Sequence, residues 1–435
     1  MDSIASLIAG YYDQQAEHEW ERMDRHHTEF AVTWRALEEY LPPPPARLLD
    51  CGGGPGRYAI ELARRGYQVN LFDLSAENLH MAKAKAQEAG VNLEAYEQGT
   101  ATDLSRYPEE IFDAVLLMGP MYHLLDEEER EQALREGARV LKPGGMLFAA
   151  FISRYAAHRD IAKKHPDLLT TDAELAQMIL ASGKLQPRGR GEAEFIAYFA
   201  HPIEIHPLFQ PASLEILTLL GLEGLVSMIE EKMNMLEGEA WDRWVDLNYR
   251  VAADPSIHGC VEHLLAVSTK PRWRSVLRLI ADQLNKTEIT YKVVGGASIA
   301  LQGVQISVKD LDLEMDQESA YRFQTLFQGN TVQPVEMRES ETYRSFFGRF
   351  DFDGVQIEVM GDLHRREAGR WVPTWTATWG KADLDGVQVN VAWLEEETLA
   401  YIRRGRLERA ALCLPYCDPG RLLALMRGEQ PTNVI

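Results

Sequence analysis

The chain has 435 residues, of which 46% are hydrophobic, and its formal net charge is −21. A chain of this length is too long for one ordinary hydrophobic core, so we expect at least two domains. The strong negative charge repels phosphate backbones, which argues against nucleic acid as a partner and favours a small molecule or a protein.

The sequence gives no sign of a membrane partner or of export. The longest apolar stretch, residues 214–229, is interrupted by Glu215 and Glu223, and residues 1–14 lack a basic region and a cleavage pattern. The four cysteines, at positions 51, 260, 413 and 417, fit neither a disulfide framework nor a common zinc motif. We therefore expect a soluble, cytoplasmic protein with reduced thiols.

The first part of the chain shows the alternation of strand and helix patterns that is typical of an α/β domain. Residues 1–45 show an amphipathic helical pattern that ends in four prolines, Pro42–Pro45. Strand-like apolar runs at residues 47–51, 69–73, 92–98, 112–118 and 146–152 then alternate with helical patterns. This alternation predicts a parallel sheet with helices on both faces. We predict that residues 153–250 form a mostly helical insertion capping the substrate side of the sheet, and that residues 262–270 form one more strand.

A second αβ pattern with a different order begins after residue 271. We predict strands at residues 289–295, 311–315, 346–352, 355–360 and 386–392, with helices around them. Short turns between strands, such as Asp353-Gly354, indicate a mixed or antiparallel sheet. The predicted domains are therefore residues 1–271, with an α/β fold, and residues 272–435, a smaller α+β domain.

A glycine-rich turn lies between the first strand and its helix, in the segment DCGGGPGR at residues 50–57. Glycines allow positive φ and let a ligand approach the main chain without a Cβ in the way. Arg57 stands where a dinucleotide-binding fingerprint has its third glycine, so a pyrophosphate ligand is disfavoured. The next strand ends at Asp73, where a carboxylate can accept hydrogen bonds from ribose hydroxyls.

Together with QGTATDL at residues 98–104, FDAVLLMGP at 112–120 and RVLKPGG at 139–145, this core resembles the class I S-adenosylmethionine (SAM)-dependent methyltransferases. The resemblance covers about residues 10–270 and implies a Rossmann-like fold with SAM as the methyl donor. By resemblance, three glycines line the methionine portion, Asp73 holds the ribose and residues 100–103 flank the adenine. The full set of donor-site candidates is Asp50, Gly52, Gly54, Gly56, Asp73, Leu74, Thr100, Ala101, Asp103 and Met118.

The family commonly has an Asp where this chain has Thr100. We therefore expect backbone groups or Asp103 to contribute to adenine recognition. The resemblance does not identify the methyl acceptor.

Two residues after the fourth strand are our catalytic candidates, Tyr122 and His123. Ligands of open parallel sheets bind at the carboxyl ends of the strands, where both residues would lie. The unperturbed pKa of histidine is near neutrality, so His123 is the candidate base or orienting group. A purely structural role for His123 in the loop is the alternative.

An aromatic, partly basic segment near the N-terminus could cover the cofactor as a lid. It contains Tyr11, Tyr12, Trp20, Arg22, His26 and His27. We take Tyr11, Tyr12 and Arg22 as its candidate site residues, with ordinary helix packing as the alternative.

In the second domain, Gly295, Gly296 and Ser298 precede Asp310 and Asp312, and Glu358 follows on a later strand. Residues two apart in a strand share a face, and converging carboxylates favour a divalent cation such as magnesium. This arrangement resembles the nucleotidyltransferase superfamily over about residues 288–415. The resemblance implies triphosphate binding by the glycine and serine turn and metal binding by the three acids.

The main hypothesis is thus a methyltransferase acting on a small molecule, with a domain that uses magnesium and a nucleoside triphosphate. One alternative is an RNA-modifying methyltransferase whose second domain binds the end of a tRNA-like molecule. In another, the second domain is catalytically inactive and serves as a binding or dimerisation module.

Overall fold

The computed structural model describes residues 4–186, 195–375 and 378–428. The chain divides into two compact units, Met1–Pro271 and Arg272–Ile435. No helix among the described residues is both long enough and apolar enough to cross a membrane.

The first unit is built around one large sheet. Its strands are β1 (Arg47–Cys51), β2 (Gln68–Asp73), β3 (Ala95–Gln98), β4 (Phe112–Leu117), β5 (Leu141–Ser153), β6 (Lys184–Leu185), β7 (Ala197–Ala200), β8 (Glu215–Gly221) and β9 (His263–Thr269). Its helices are α1 (Ile4–Trp20), α2 (Arg22–Arg25), α3 (His27–Tyr40), α4 (Arg57–Arg64), α5 (Ala76–Glu88), α6 (Glu127–Val140), α7 (Ala156–Lys164), α8 (Leu168–Thr171), α9 (Ala173–Ser182), α10 (Pro202–Phe209), α11 (Glu230–Met233), α12 (Gly238–Val251) and α13 (Pro255–His258).

The central strands run parallel in the order β3-β2-β1-β4-β5, and β9 then joins β5 in the antiparallel direction. Alternate residues of these strands enter two separate cores, one on each face of the sheet. On β4, for example, Val115 and Leu117 belong to one core, whereas Ala114 and Leu116 belong to the other. All four are fully buried, as expected for a parallel sheet covered by helices on both faces.

Residues 153–250 are mostly helical, as predicted, but the range also contains strands that the sequence analysis missed. Three strands lie in this range, and β8 forms an antiparallel pair with β9 along the sheet. Short β7 pairs parallel with the end of β5 at Ile152 and Ser153, and antiparallel with β6. An apolar run such as EILTLLG has no periodicity that separates a strand from a buried helix, because the distinction depends on its pairing with β9.

The second unit also has one sheet, and its elements differ in order from those of the first. Its strands are β10 (Tyr291–Val294), β11 (Leu311–Met315), β12 (Thr331–Glu339), β13 (Tyr343–Phe352), β14 (Val355–Glu367), β15 (Arg370–Pro373), β16 (Gly380–Leu384) and β17 (Val387–Val391). Its helices are α14 (Arg272–Leu284), α15 (Gly295–Leu301), α16 (Gln317–Leu326), α17 (Leu394–Arg403), α18 (Leu407–Cys413) and α19 (Pro419–Met426).

This second sheet is mixed, as the short turns predict, and runs in the order β12-β13-β14-β11-β10-β17-β16, with β15 beside β14. Strands β11 and β14 are parallel, whereas β10 and β11 are antiparallel. Strands β12, β15 and β16 were not predicted. In β12 the apolar residues are sparse and the burial pattern is irregular, because two register shifts interrupt its pairing with β13.

Candidate functional site

The glycine turn of the first unit leaves bare main chain at the carboxyl edge of the sheet. Gly52, Gly54 and Gly56 have φ values of +73°, +55° and +84°, which side-chain-bearing residues rarely adopt. A Cβ on Gly52 would lie 2.4 Å from the Pro120 ring, and one on Gly119 would lie 2.6 Å from the Gly52 carbonyl oxygen. The turn after β1 and the turn after β4 are therefore packed together without room for side chains.

Asp73 holds the end of β2 and the glycine turn in place. Its Oδ2 accepts the N–H of Gly54 over 2.8 Å, and its Oδ1 accepts the N–H of Ser75 over 2.8 Å and the amide of Asn78 over 3.2 Å. Burial raises the pKa of Asp73, although the three donors oppose that rise. A carboxylate has about four lone-pair sites, so one acceptor position on Oδ2 is left for a ligand hydroxyl.

Asp50 lies beneath the same turn, and its environment differs from that of Asp73. It is 1% exposed, and neither carboxylate oxygen has a hydrogen-bond partner within the described part of the chain. Burial, followed by the nearby charge of Asp73, raises the pKa of Asp50 to about 7, and the Ala59 N–H opposes this without reaching hydrogen-bonding geometry. A buried acid without donors is costly, so this site fits a cationic group of a ligand.

The other donor-site candidates lie along the same edge. Leu74 follows β2 and Met118 follows β4, and both are half-buried. In the loop after β3, Thr100 contacts Thr102 through their hydroxyls over 3.0 Å, while Ala101 is buried. Asp103 is exposed and accepts the N–H of Ser105 over 3.0 Å, and the side chain of Ser105, together with this N–H, lowers the pKa of Asp103. The structure thus brings all ten donor-site candidates to the carboxyl ends of β1 to β4.

His123 is buried and has partners at both ring nitrogens. Nδ1 lies 2.7 Å from the Ile196 carbonyl oxygen, which can only accept, so Nδ1 carries the proton. Nε2 then accepts from the hydroxyl of Tyr12 over 2.6 Å. Burial lowers the pKa of His123 to about 4. In this arrangement His123 is a neutral acceptor for Tyr12, and its lone pair is already occupied.

Aromatic rings surround His123. The rings of Tyr12, Tyr122 and Phe195 lie 5.2, 4.7 and 5.5 Å from the imidazole, and all three meet it edge-on. Tyr11 extends the group through Tyr12 and Phe195. Burial raises the pKa of Tyr122 far above its usual value, so its phenol stays protonated. This cluster gives an apolar surface with hydroxyl groups beside the end of β4.

Helix α1 lies against the donor-site edge through several contacts. Besides Tyr12, Asp13 accepts from the hydroxyl of Ser75 over 2.5 Å, and Ser75 donates its own N–H to Asp73. Trp20 lies under the charged groups of Arg57 and Lys85, at 4.9 and 5.2 Å from its ring. The predicted lid segment is therefore folded over this edge.

Arg22 belongs to a buried charged network that the sequence did not reveal. Its Nη1 and Nη2 form a bidentate ion pair with the two carboxylate oxygens of Glu29, at 3.1 and 2.7 Å. Its Nη2 also lies 3.1 Å from Nε2 of His263. Nδ1 of His263 lies 2.6 Å from Glu223, whose other oxygen accepts two backbone N–H groups. Although burial opposes ionisation, Arg22 holds the pKa of Glu29 below its usual value.

Among the described residues, Glu29, Glu223 and His263 form the group whose ligand atoms all lie within 4.8 Å of one another, as a shared metal requires. The guanidinium of Arg22 contacts two of the three, so a cation of the protein itself already neutralises the cluster. We interpret it as a structural connection between the start of α3 and β9. Its members are far apart in sequence, and no local motif marks them.

In the second unit, the glycine turn faces acidic residues. Gly295 has a φ of +69°, and a Cβ there would lie 2.6 Å from Oδ2 of Asp312. The N–H of Gly295 donates to Glu397 over 2.7 Å. Gly296 is in the first turn of α15, and the buried hydroxyl of Ser298 donates to the Ala392 carbonyl over 3.0 Å. Ser298 therefore ties α15 to the end of β17, and Glu397 is an acid of this site that the sequence analysis missed.

The predicted metal-binding acids lie on one region of the sheet. Asp312 and Glu358 are direct partners on the parallel strands β11 and β14, and exposed Asp310 precedes β11. Burial, then the charges of Asp310 and Glu358, raise the pKa of Asp312 to about 7. Glu358 accepts from Arg349 over 2.9 Å and from Gln356 over 3.0 Å through one oxygen. Among the described residues, these three acids do not form a group with all ligand atoms within 4.8 Å.

A cavity of about 690 Å³ opens over this face of the second sheet. Asp312, Gly295 and Glu397 line one part of it, and arginines line another. Lys292 and Glu314 are buried in its floor as an ion pair at 3.3 Å. The cavity is large enough for a nucleotide-sized ligand.

Comparison with protein families gives one match in each unit. Residues 48–145 match the family described as "Methyltransferase domain", and residues 276–412 match "Aminoglycoside-2''-adenylyltransferase". The first range contains the glycine turn, Asp73 and His123, and the second contains Asp312, Glu358 and Glu397.

Among curated proteins, tRNA 5-carboxymethoxyuridine methyltransferase of Escherichia coli K12 is 36% identical over 133 residues, which are 29% of this chain and 48% of the relative. Ubiquinone biosynthesis O-methyltransferase of Caulobacter vibrioides is 36% identical over 116 residues, which are 27% of this chain and 44% of the relative. The chain thus spans about half the length of the curated relatives it matches. Among solved structures, a presumed nucleotidyltransferase of Thermotoga maritima is 32% identical, with a TM-score of 0.31, over 34% of this chain and 93% of that one.

Proposed function

Since the chain joins a class I SAM-dependent methyltransferase domain to a nucleotidyltransferase-like domain, we propose that the first unit transfers a methyl group from SAM to a small-molecule acceptor. SAM supplies the methyl group on a sulfonium, which makes the transfer an in-line displacement. The observation that carries the proposal is the bare glycine turn, flanked by buried Asp50 without donors and by Asp73 with one free acceptor position.

Each part of this edge has a role in holding the donor. Gly52, Gly54 and Gly56 allow the methionine portion to lie against main chain, and Asp50 faces its ammonium group. The free lone pair of Asp73 accepts one ribose hydroxyl, and a second such bond requires Asn78 or Ser75 to move away. These assignments keep every buried carboxylate oxygen paired when the donor is bound.

The adenine is proposed to lie between the loops after β2, β3 and β4. Leu74 and Met118 offer apolar contacts, while backbone groups of Thr100 and Ala101 and the exposed carboxylate of Asp103 offer hydrogen bonds. Asp103 already accepts the N–H of Ser105. We therefore propose that it contributes less to adenine binding than the backbone groups of Thr100 and Ala101 do.

The acceptor is proposed to lie beside Tyr122 and His123, under helix α1. Enzymes of this kind mainly align the acceptor with the methyl group and exclude water. Tyr11, Tyr12 and Arg22 belong to the lid that excludes water, and Tyr12 is anchored by His123. For His123 to act as a base, the Tyr12 hydroxyl must first leave Nε2.

Titration calorimetry with adenosylhomocysteine on the full chain tests the donor site. We expect binding with one site per chain. Absence of heat from folded protein, at protein concentrations near 100 µM, would refute the proposal.

The alternative is that the methyl acceptor is RNA. The similarity to the Escherichia coli tRNA methyltransferase favours this alternative. Excess negative charge works against RNA binding. Transfer of labelled methyl from SAM into a metabolite mixture, with no transfer into total tRNA and no gel shift at physiological salt, is the expected result. Labelled tRNA would favour the alternative.

For the second unit we propose nucleotidyl transfer that uses magnesium and a nucleoside triphosphate. Asp310, Asp312 and Glu358 would hold the metal, because the crowding that raises the pKa of Asp312 is relieved by a divalent cation. Gly295, Gly296 and the start of α15 face the phosphates, while Ser298 fixes α15 in position.

Magnesium-dependent binding of a nucleoside triphosphate to the full chain, lost in Asp310→Asn/Asp312→Asn, is the expected result. If the wild-type chain binds no nucleotide, the second unit is an inactive binding or dimerisation module. If it is a dimerisation module, light scattering should show a dimer that a chain ending near residue 271 does not form.

A further inference from the structure

The side chains placed beside the methyl acceptor are poorly suited to take up its proton. His123 is neutral, and its Nε2 lone pair accepts the Tyr12 hydroxyl over 2.6 Å. Burial raises the pKa of Tyr122, so its phenol stays protonated. Asp13 accepts the hydroxyl of Ser75 over 2.5 Å. A hydroxyl or amine that is methylated loses a proton, so this side of the site requires a further base.

Glu19 is a carboxylate near the end of α1, on the face that contacts the rest of the unit. It lies seven positions after Tyr12, about two helical turns further along the same face. The next residue, Trp20, lies under the charged groups of α4 and α5. Glu19 is half-buried, whereas Glu17 and His18 beside it are exposed. The side chain of Glu19 therefore belongs to the inner face of the lid.

The charge of Glu19 acts on the aromatic cluster around the acceptor site. Burial is the main cause of the raised pKa values of Tyr122, Tyr12 and Tyr11, and the charge of Glu19 raises each of them further. The negative charge of Asp73 also raises the pKa of Tyr122. Tyr122 thus has both the donor-holding acid and Glu19 in its surroundings, which places Glu19 on the acceptor side of the site.

The basic groups around Glu19 are bound to other partners. Arg22 forms the bidentate pair with Glu29, and Nη2 of Arg25 lies 2.9 Å from the His18 ring. Burial raises the pKa of Glu19, and the charge of Glu29 adds to this, whereas the charges of Arg22, His18 and Arg25 oppose it. Within the described ranges, the Glu19 carboxylate makes no hydrogen bond or ion pair. Its oxygens therefore remain available to a ligand.

We infer that Glu19 is the base of methyl transfer, and that the acceptor atom is a hydroxyl oxygen or an amine nitrogen that carries a proton. The bond from this atom to the methyl carbon forms while the carbon–sulfur bond breaks, and the electron pair of the broken bond stays on sulfur. The acceptor's proton moves to an Oε of Glu19, which passes it to water. This assignment rests on the methyl transfer proposed for the first unit.

Transfer of labelled methyl from SAM into a metabolite mixture or into tRNA, whichever accepts the label, tests Glu19. Glu19→Gln should lower the rate at pH 8 about 100-fold or more and leave adenosylhomocysteine affinity within about twofold. As the pH is lowered, transfer by the wild type should fall at a pH above 4.5, the ordinary value for glutamate, since Glu19 must be ionised. Glu19→Gln should lack this fall. Glu17→Gln, an exposed glutamate on the same helix, is the matched control and should behave as wild type.

Glu19→Asp keeps a carboxylate, so it should retain more transfer than Glu19→Gln. Mass spectrometry of the product shows whether oxygen or nitrogen is methylated, and methylation of an atom that carried no proton, such as a thioether sulfur, overturns the inference. Unchanged transfer in Glu19→Gln, or an equal loss of transfer and of adenosylhomocysteine binding, also overturns it but leaves the proposed methyl transfer intact. If the wild type labels neither metabolites nor tRNA, the proposed function fails, and the role of Glu19 fails with it.

Discussion

The two candidate sites of this protein are built from different chemical groups. In the first unit the glycine turn, the loop after β3 and the partners of Asp73 are largely main chain, and the one acid without donors is buried beneath them. In the second unit the cavity is lined by charged side chains on strands and on α17. Main-chain recognition depends on backbone conformation, whereas side-chain recognition depends on charges that substitution or salt can remove.

The largest expected effect comes from removing the acid that organises the first site. Asp73→Ala leaves three buried donors without an acceptor and removes the ribose contact, so we expect adenosylhomocysteine binding to fall by at least 100-fold. Calorimetry on the full chain measures it, with thermal unfolding to verify the fold. Asp103→Ala, an exposed acid at the same edge, should lose less than tenfold, and equal losses in both variants would contradict the assigned roles.

The second prediction concerns the buried acid under the glycine turn. Asp50 ionises near pH 7 in the fold and near pH 3.8 when unfolded, so folding disfavours its charged form. The cost is absent below about pH 4, grows up to about pH 7 and is then constant. Asp50→Asn should therefore stabilise the ligand-free protein at pH 8, by at most about 4 kcal/mol, with little change at pH 4.

Chemical denaturation at both pH values checks this result. Saturating adenosylhomocysteine should stabilise the wild type more than Asp50→Asn, because the ligand's ammonium group pairs with the carboxylate. A variant that is less stable than wild type at pH 8 would show that Asp50 is already well solvated or paired.

A third comparison separates a catalytic from an anchoring role for His123. If His123 acts as a base, His123→Ala should lower turnover about 100-fold or more. Tyr12→Phe removes only one hydrogen bond, so it should weaken donor binding about fivefold and leave turnover unchanged.

Because burial lowers the pKa of His123 to about 4, wild-type turnover should not fall from pH 8 down to pH 6. Equal, small losses in both variants would identify His123 as an anchor for α1.

The smallest expected effect compares the two sites directly. Raising sodium chloride from about 50 to about 500 mM should weaken binding of a magnesium nucleoside triphosphate to the second unit about fivefold. Adenosylhomocysteine binding should change less than twofold, because the acids proposed to contact it, Asp50 and Asp73, are buried. Calorimetry on one protein preparation gives both values, and equal salt dependence would remove the contrast between the sites.

Much of the fold could be predicted because local patterns determine it. Strands β1, β2 and β4 are short apolar runs, and the structure has them within one residue of the predicted bounds. Strands β8 and β12 were missed because their own sequences do not identify them as strands, and each is fixed by antiparallel pairing, β8 with β9 and β12 with β13. The class of both domains was confirmed by the family matches.

The candidate sites were predictable only where their residues are neighbours in sequence. Asp50, the glycines and Asp73 lie at the carboxyl ends of the consecutive strands β1 and β2, so topology alone places them at one edge. The partnership of Tyr12 with His123 joins residues 111 positions apart. Glu397 lies on α17, and no spacing rule connects it to Gly295 or Asp312.

The chain of contacts from Asp13 through Ser75 to Asp73 has a consequence for the catalytic cycle. Asp73, which is proposed to hold the donor sugar, and helix α1, which is proposed to cover the acceptor, are both bound by Ser75. Its hydroxyl donates to Asp13 on the helix, and its amide donates to Asp73. We therefore expect the release of adenosylhomocysteine to disturb helix α1. We expect an ordered kinetic scheme, in which SAM binds first and adenosylhomocysteine leaves last.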